Sequence, residues 1–246
     1  MLRLFFVIMS IFLSSCAGLM PSASPEDVAK IKSLANQYQT GQPRQLSASD
    51  ANRVPLQRGQ WVASLTTSKS DPNDISLQIQ KVVSIQGTTV VIESETYAST
   101  NDAKRQVIQQ EFHNFPVQAK TAYTKDEAAS LVSNMSFGSM KMMDENGRVT
   151  TLPNLPMGIG QMGAALVRTN ISSGEITKTA CQSAYFSSSS CYVMPFNTSV
   201  MFMSISGTSY GHGAIPIAGY LMTETDQHKI EVIGYGMSGA KVIINQ

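Results

Sequence analysis

The hexapeptide ISLQIQ, residues 75–80, alternates a branched apolar side chain with a polar one three times in succession. A period of two belongs to an extended strand whose neighbouring side chains point to opposite faces. A strand that is apolar on one side and polar on the other fits an antiparallel sheet with one packed face. The same period continues in both directions. Upstream, Trp61, Ala63 and Leu65 alternate with Val62, Ser64 and Thr66. Downstream, VVSIQGTTVVIESETY (82–97) reads as two strands turning at Gly87, and QVIQQEFHNF (106–115) as another. MKMMDENGRVTTL (140–152) predicts a hairpin turning at Asn146-Gly147, and the C-terminal third adds YVMPFNTSVMFMSIS (192–206), HKIEVIGYGM (228–237) and AKVIIN (240–245) as strands.

Two stretches break this pattern. Ser24-Pro25-Glu26-Asp27 combines an N-cap serine, a proline suited to the first turn and acids near the positive end of a helix dipole. Val28, Ile31, Leu34, Ala35 and Tyr38 then recur at helical spacing, which predicts a helix over 25–39 stopped by Thr40-Gly41-Gln42-Pro43. Thr124-Lys125-Asp126-Glu127 is a capping box and heads a short helix through Leu131 and Val132. The expected fold is therefore mainly β (α+β): a curved antiparallel sheet or partly closed barrel, with an N-terminal helix over its open face and one short additional helix. A chain of 246 residues, 42% hydrophobic and 14% charged, has the apolar content for one sizeable core. A formal net charge of +1 with dispersed basic residues excludes a broad electrostatic footprint for nucleic acid.

The first residues read differently again. Arg3 precedes LFFVIMSIFL (4–13), a run too short to cross a bilayer core of ~30 Å as a helix but long enough for the core of a signal peptide. Leu13-Ser14-Ser15-Cys16 closes it and resembles the lipobox of bacterial lipoproteins. The resemblance implies cleavage before Cys16, diacylglycerol on its sulfur and acylation of the new amine. It also implies a signal peptide over 1–15, a lipidated tether over 16–24 and a single periplasmic β-rich domain over 25–246. Ala17 in place of aspartate implies the outer membrane of a Gram-negative envelope. The C-terminal order, with a strand ending near a cysteine, an IPIAGYL bend (215–221) and a last strand into GMSGA (236–240), resembles a pattern in uncharacterised envelope lipoproteins and brings no activity with it.

With Cys16 assigned to lipid, Cys181 and Cys191 remain, and an even count in an exported chain predicts a disulfide. They flank QSAYFSSSS (182–190), whose serine run is expected at a hairpin tip.

Motifs for chemistry are few. Gly207-Thr208-Ser209-Tyr210-Gly211 spells a nucleophile elbow, but that device needs a helix directly after the serine, and His212-Gly213-Ala214-Ile215-Pro216 follows instead. A glycine-rich turn explains the same letters, and Asp226 and His228 stand two apart on a strand. Gly158-Ile159-Gly160-Gln161-Met162-Gly163 matches a dinucleotide fingerprint by letters, yet Pro153 and Pro156 stand where a buried strand should be. Met140 with Met142, and Met201 with Met203, share strand faces, a pattern open to Cu(I) ligation but more simply explained by core packing. His113, His212 and His228 are too scattered for a zinc motif.

Three functions follow. The first is a non-enzymatic structural or interaction module on the envelope, with the membrane as its partner through Cys16 and an envelope protein as a further partner. The second is a carrier of an apolar ligand, by analogy with the half-barrel of periplasmic lipoprotein carriers, using Met194, Met201, Phe202 and Met203 near the mouth of a concave sheet. The third is a serine hydrolase at Ser209. No cofactor and no metal is implied.

Overall fold

The structure is a computed structural model and describes residues 23–39, 41, 43–152, 172–200 and 203–244. Thirteen strands among these residues join one sheet, which is curved and stays open. In chain order they are β1 (Arg44–Leu46), β2 (Trp61–Ser68), β3 (Ile75–Gln86), β4 (Thr89–Ala98), β5 (Arg105–His113), β6 (Ser136–Met143), β7 (Val149–Leu152), β8 (Ser172–Ser173), β9 (Thr177–Gln182), β10 (Phe186–Val200), β11 (Met203–Gly211), β12 (Tyr220–Thr225) and β13 (His228–Gly236). The spatial order is β1-β10-β11-β12-β13-β2-β3-β4-β5-β6-β7, with β8 and β9 also on β10. Every pairing is antiparallel except that of β1 with β10.

The period-two reading places one face of β2 and β3 correctly. Ala63, Ile75, Leu77 and Ile79 are buried, and helix α1 (Pro25–Asn36) covers them with Val28, Ile31 and Ala35. A twelve-residue helix is marginal alone; burial of side chains of this size, each worth about 1.5–3 kcal/mol, holds it on the sheet. Ser24 caps it by accepting the Asp27 N–H at 3.1 Å. The helix ends at Asn36, three residues short of the expected 39, because the chain tightens (Tyr38 N–H to Ala35 O, 3.0 Å) to set Tyr38 on the sheet. Gly234 and Gly236 of β13 permit this approach. A Cβ at Gly234 would overlap the Tyr38 carbonyl, and one at Gly236 would overlap the Trp61 ring.

The other face carries a larger core rather than water. Val62, Val82, Val90, Ile92 and Phe112 of the sheet meet Phe115, Phe186, Ile215, Ile217 and Leu221, and helix α2 (Lys125–Asn134) adds Ala128 and Ala129. Its capping box is formed: Glu127 N–H donates to Thr124 Oγ1 at 3.3 Å and Thr124 N–H to Glu127 Oε2 at 3.0 Å. The β6–β7 hairpin turns as expected, with the Asp144 carboxylate accepting the Asn146 and Arg148 amides and Gly147 at φ 78°. The expected last strand at 240–245 is different. Residues 240–244 form no strand, because Ile243 and Ile244 donate their amides to a side chain, the Glu93 carboxylate.

Histidine 228 opens β13, half-buried, and burial lowers its proton affinity against the opposing pull of Asp74 and Asp226. A folded pKa below the usual 6.5 means that, as pH falls through this window, the unfolded chain takes up the proton first. The expected outcome is a Tm that falls as pH drops from about 7 to about 5, with a shallower fall in His228→Asn. Equal slopes for the two proteins would contradict the assignment.

Candidate functional site

Cys16, Met201, Phe202 and the 158–163 glycine motif lie outside the described residues. Cys181 on β9 and Cys191 on β10 are disulfide-bonded, with Cα atoms 5.8 Å apart and both residues buried. The serine run is not the tip of that hairpin. Ser187 to Ser190 lie within β10, and the turn falls at Ser183-Ala184-Tyr185, where the Ser183 hydroxyl accepts the Phe186 amide at 3.0 Å.

Ser209 sits inside β11, buried, and its hydroxyl accepts from Thr223 Oγ1 at 3.1 Å. The expected glycine turn is absent, and Gly207 serves packing instead: a Cβ there would overlap the Glu224 carbonyl and crowd the Phe196 ring. Asp226 does not share a strand with His228: it lies in the bend between β12 and β13 and donates its amide to the Ser206 carbonyl. Met194 is buried on β10 opposite Ser209, and Met203 starts β11. On β6, Met142 is exposed. Among the described residues no three His, Cys, Asp or Glu side chains group as a metal site.

A polar site that the strand pattern did not single out lies on the α1 face. Lys81, Glu93 and Gln109 stand in one row across β3, β4 and β5. Lys81 Nζ donates to Glu93 Oε1 at 3.2 Å and to Glu95 Oε2 at 2.7 Å, with all three side chains buried. Glu93 also accepts Gln109 Nε2 at 3.0 Å and the amides of Ile243 and Ile244 at 2.9–3.1 Å. Gln109 returns a bond to the Ile244 carbonyl. Glu95 accepts the Tyr97 hydroxyl at 2.7 Å, and burial together with that bond raises the Tyr97 pKa.

Beside this cluster is a pocket of about 390 Å³ bordered by Tyr38, Trp61, Lys81, Glu95, Arg105 and Lys241. Tyr38 and Trp61 form its aromatic wall, with edge-on rings 5.5 Å apart. Burial, and then Glu95, raises the Tyr38 pKa. The carboxylates are committed: Glu93 to four donor groups, Glu95 to a lysine and a phenol. The site therefore sets an aromatic wall beside charged groups, with both buried carboxylates held by fixed donors.

A signal for the cluster was present in the sequence. Lys81 and Glu93 lie six residues before and six after Gly87, so a hairpin turning there sets them side by side. Removing the cation from two buried carboxylates costs about 3–5 kcal/mol. Lys81→Met is expected to lose that much in urea denaturation, and most of it should return when Glu93→Gln and Glu95→Gln are added. A loss below about 1 kcal/mol, the level of an exposed pair, would contradict this.

No family model matches the chain, and no curated protein does. Among solved structures it is similar to a Bacteroides fragilis protein provisionally designated as exported and described as having a YmcC-like fold, at 9% identity and TM-score 0.36, over 76% of this chain and 100% of that one. It is also similar to a provisionally designated lipoprotein of Parabacteroides distasonis, at 10% identity and TM-score 0.33, over 77% of this chain and 99% of that one.

Proposed function

We propose that this chain is a lipid-anchored protein of the bacterial envelope, acylated at Cys16 and held at the outer membrane facing the periplasm, whose β-rich domain is a non-enzymatic structural or interaction module. The observation that carries this reading is the apolar run 4–13 ending on Leu13-Ser14-Ser15-Cys16. The Cys181–Cys191 disulfide supports it, because such bonds persist in oxidising compartments. Helix α1 begins at Pro25, nine residues beyond Cys16, so the connection spans at most about 30 Å. The domain would stay close to the bilayer surface. More than one acyl chain at Cys16 makes such anchoring stable.

The interaction role is supported by β7, the terminal strand of the sheet path among the described residues, all four of whose residues are exposed. Val149, Leu152 and the neighbouring Met142 expose about two-fifths of their surface each, at 44%, 38% and 42%. A strand edge with apolar side chains is a template for adding a partner's strand.

Metabolic labelling with an alkynyl palmitate analogue, followed by intact-mass analysis of the membrane fraction, tests the anchor. The wild type should carry label and begin at Cys16, and Cys16→Ser should carry none and retain residues 1–15. An unlabelled wild type, or equal labelling of Cys16→Ser, would refute it.

A further inference from the structure

On the side of the molecule served by the larger core, residues 47–54 run as a strap between β10, segment 117–121 and the loop after β11. Backbone bonds fix it at each crossing: Ser49 N–H to Ser190 O (2.9 Å), Arg53 N–H to Ala119 O (2.8 Å), Thr121 N–H to Ala51 O (2.7 Å) and Val54 N–H to Gly213 O (2.9 Å). Gly213 is required there, since a Cβ would stand 2.6 Å from the Asn52 carbonyl and 3.0 Å from Thr121 Oγ1. His212 holds the strap from beneath. Its Nδ1 accepts the Ala214 amide at 3.1 Å, which leaves the proton on Nε2 to donate to the Ser47 carbonyl at 3.0 Å. Between the strap and residues 212–214 lies a pocket of about 530 Å³.

Arg53 borders this pocket with 5% of its surface exposed. A guanidinium has five N–H donors and keeps its charge, so a buried one ordinarily spends those donors on carboxylates and carbonyls. Here Nη2 donates to the Ile217 carbonyl, and Nε is sealed from solvent without a partner. No carboxylate among the described residues forms an ion pair with it; Asp50 borders the same pocket but is exposed. Burial lowers the Arg53 pKa to about 10, and nearby Tyr123 offsets this only in part.

Two further observations locate the shortfall here. Ile217, whose carbonyl orients Arg53, is a β-branched residue at φ 54°, a strained conformation that surrounding structure must maintain. Thr121 Oγ1, against the Gly213 wall, is also sealed and unpartnered. Two of the three such side-chain atoms among the described residues thus cluster at one strap. A fold that holds an under-compensated cation beside a pocket, with a strained backbone carbonyl as its acceptor, is organised for a charge from outside.

We propose that this pocket binds an anionic group, a carboxylate or a phosphate, with Arg53 as its counter-charge. A guanidinium suits both groups, since each supplies anionic oxygens as acceptors for its charge and N–H donors. The site is separate from the Lys81 cluster and stands whether or not Cys16 carries lipid.

The test is thermal unfolding of the full chain in detergent, titrated at constant ionic strength with inorganic phosphate and, separately, with acetate. Saturable stabilisation of the wild type is expected, about 4 °C when the anion reaches ten times its Kd. The larger response identifies the source as phosphoryl or carboxylate. Arg53→Met should abolish the rise. Ala48→Glu, an exposed substitution on the pocket rim, should weaken the response several-fold through repulsion. No shift of the wild type with either anion would overturn the proposal, as would an equal shift in Arg53→Met. An unchanged response in Ala48→Glu would overturn it even if Arg53→Met does not fold.

Discussion

The carboxylate of Glu93 is the point on which three parts of the molecule close. It has no exposed surface, lies mid-sheet, and accepts from a lysine on β3, a glutamine on β5 and two amides of the C-terminal tail. A buried carboxylate without such donors would cost several kcal/mol, so its position is tolerable only when all of them are in place. The dependence runs both ways. Lys81 is buried beside two acids, Gln109 spends its amide on Glu93 and the tail, and the last described residues have no strand to pair with. The tail then borders the pocket walled by Tyr38 and Trp61, whose rings are admitted by the two glycines of β13. Anchoring the tail therefore shapes the aromatic-walled pocket on this face.

Much of the sheet was legible because period two survives in β2 to β5, and both capping motifs marked their helices correctly. The serine run misled because composition suggests a turn, whereas Ser188 stays in strand β10 by accepting and donating through its hydroxyl to the Ser47 and Ser190 backbone. The segment 240–244 misled because it is apolar and branched enough for a strand, and nothing local announces that a carboxylate some 150 residues away, at Glu93, takes its amides. Alternation was also read as dry against wet. Both faces are covered, so Gln80, Lys81 and Glu93 occupy polar positions that are nonetheless buried. Reading them needed the register of the Gly87 hairpin rather than the pattern of either strand alone. Arg53 and His212 belong to no motif; the strap that joins them is made of backbone bonds that no spacing in the sequence encodes.

The two sides of the sheet divide their roles. The α1 side is the one nearest in sequence to Cys16, and it is closed by a compact helix and the tail. The other side holds the disulfide, the larger core and the strap over Arg53. Among the described residues the sheet path ends on an exposed strand at β7. The disulfide thus ties β9 to β10 near one end of the described sheet, while β7 at the other end leaves its side chains exposed.

The central claim is that Glu93 secures the tail as well as the strands. Amide hydrogen exchange at Ile243 and Ile244, compared between the wild type and Glu93→Leu, tests it most directly, since Lys81 keeps Glu95 as its partner in that variant. The account predicts that both tail amides lose about 10- to 100-fold of their protection while the β2 and β3 amides keep theirs. Tail protection that survives the substitution would show that the tail is held by something other than Glu93, and would contradict the account.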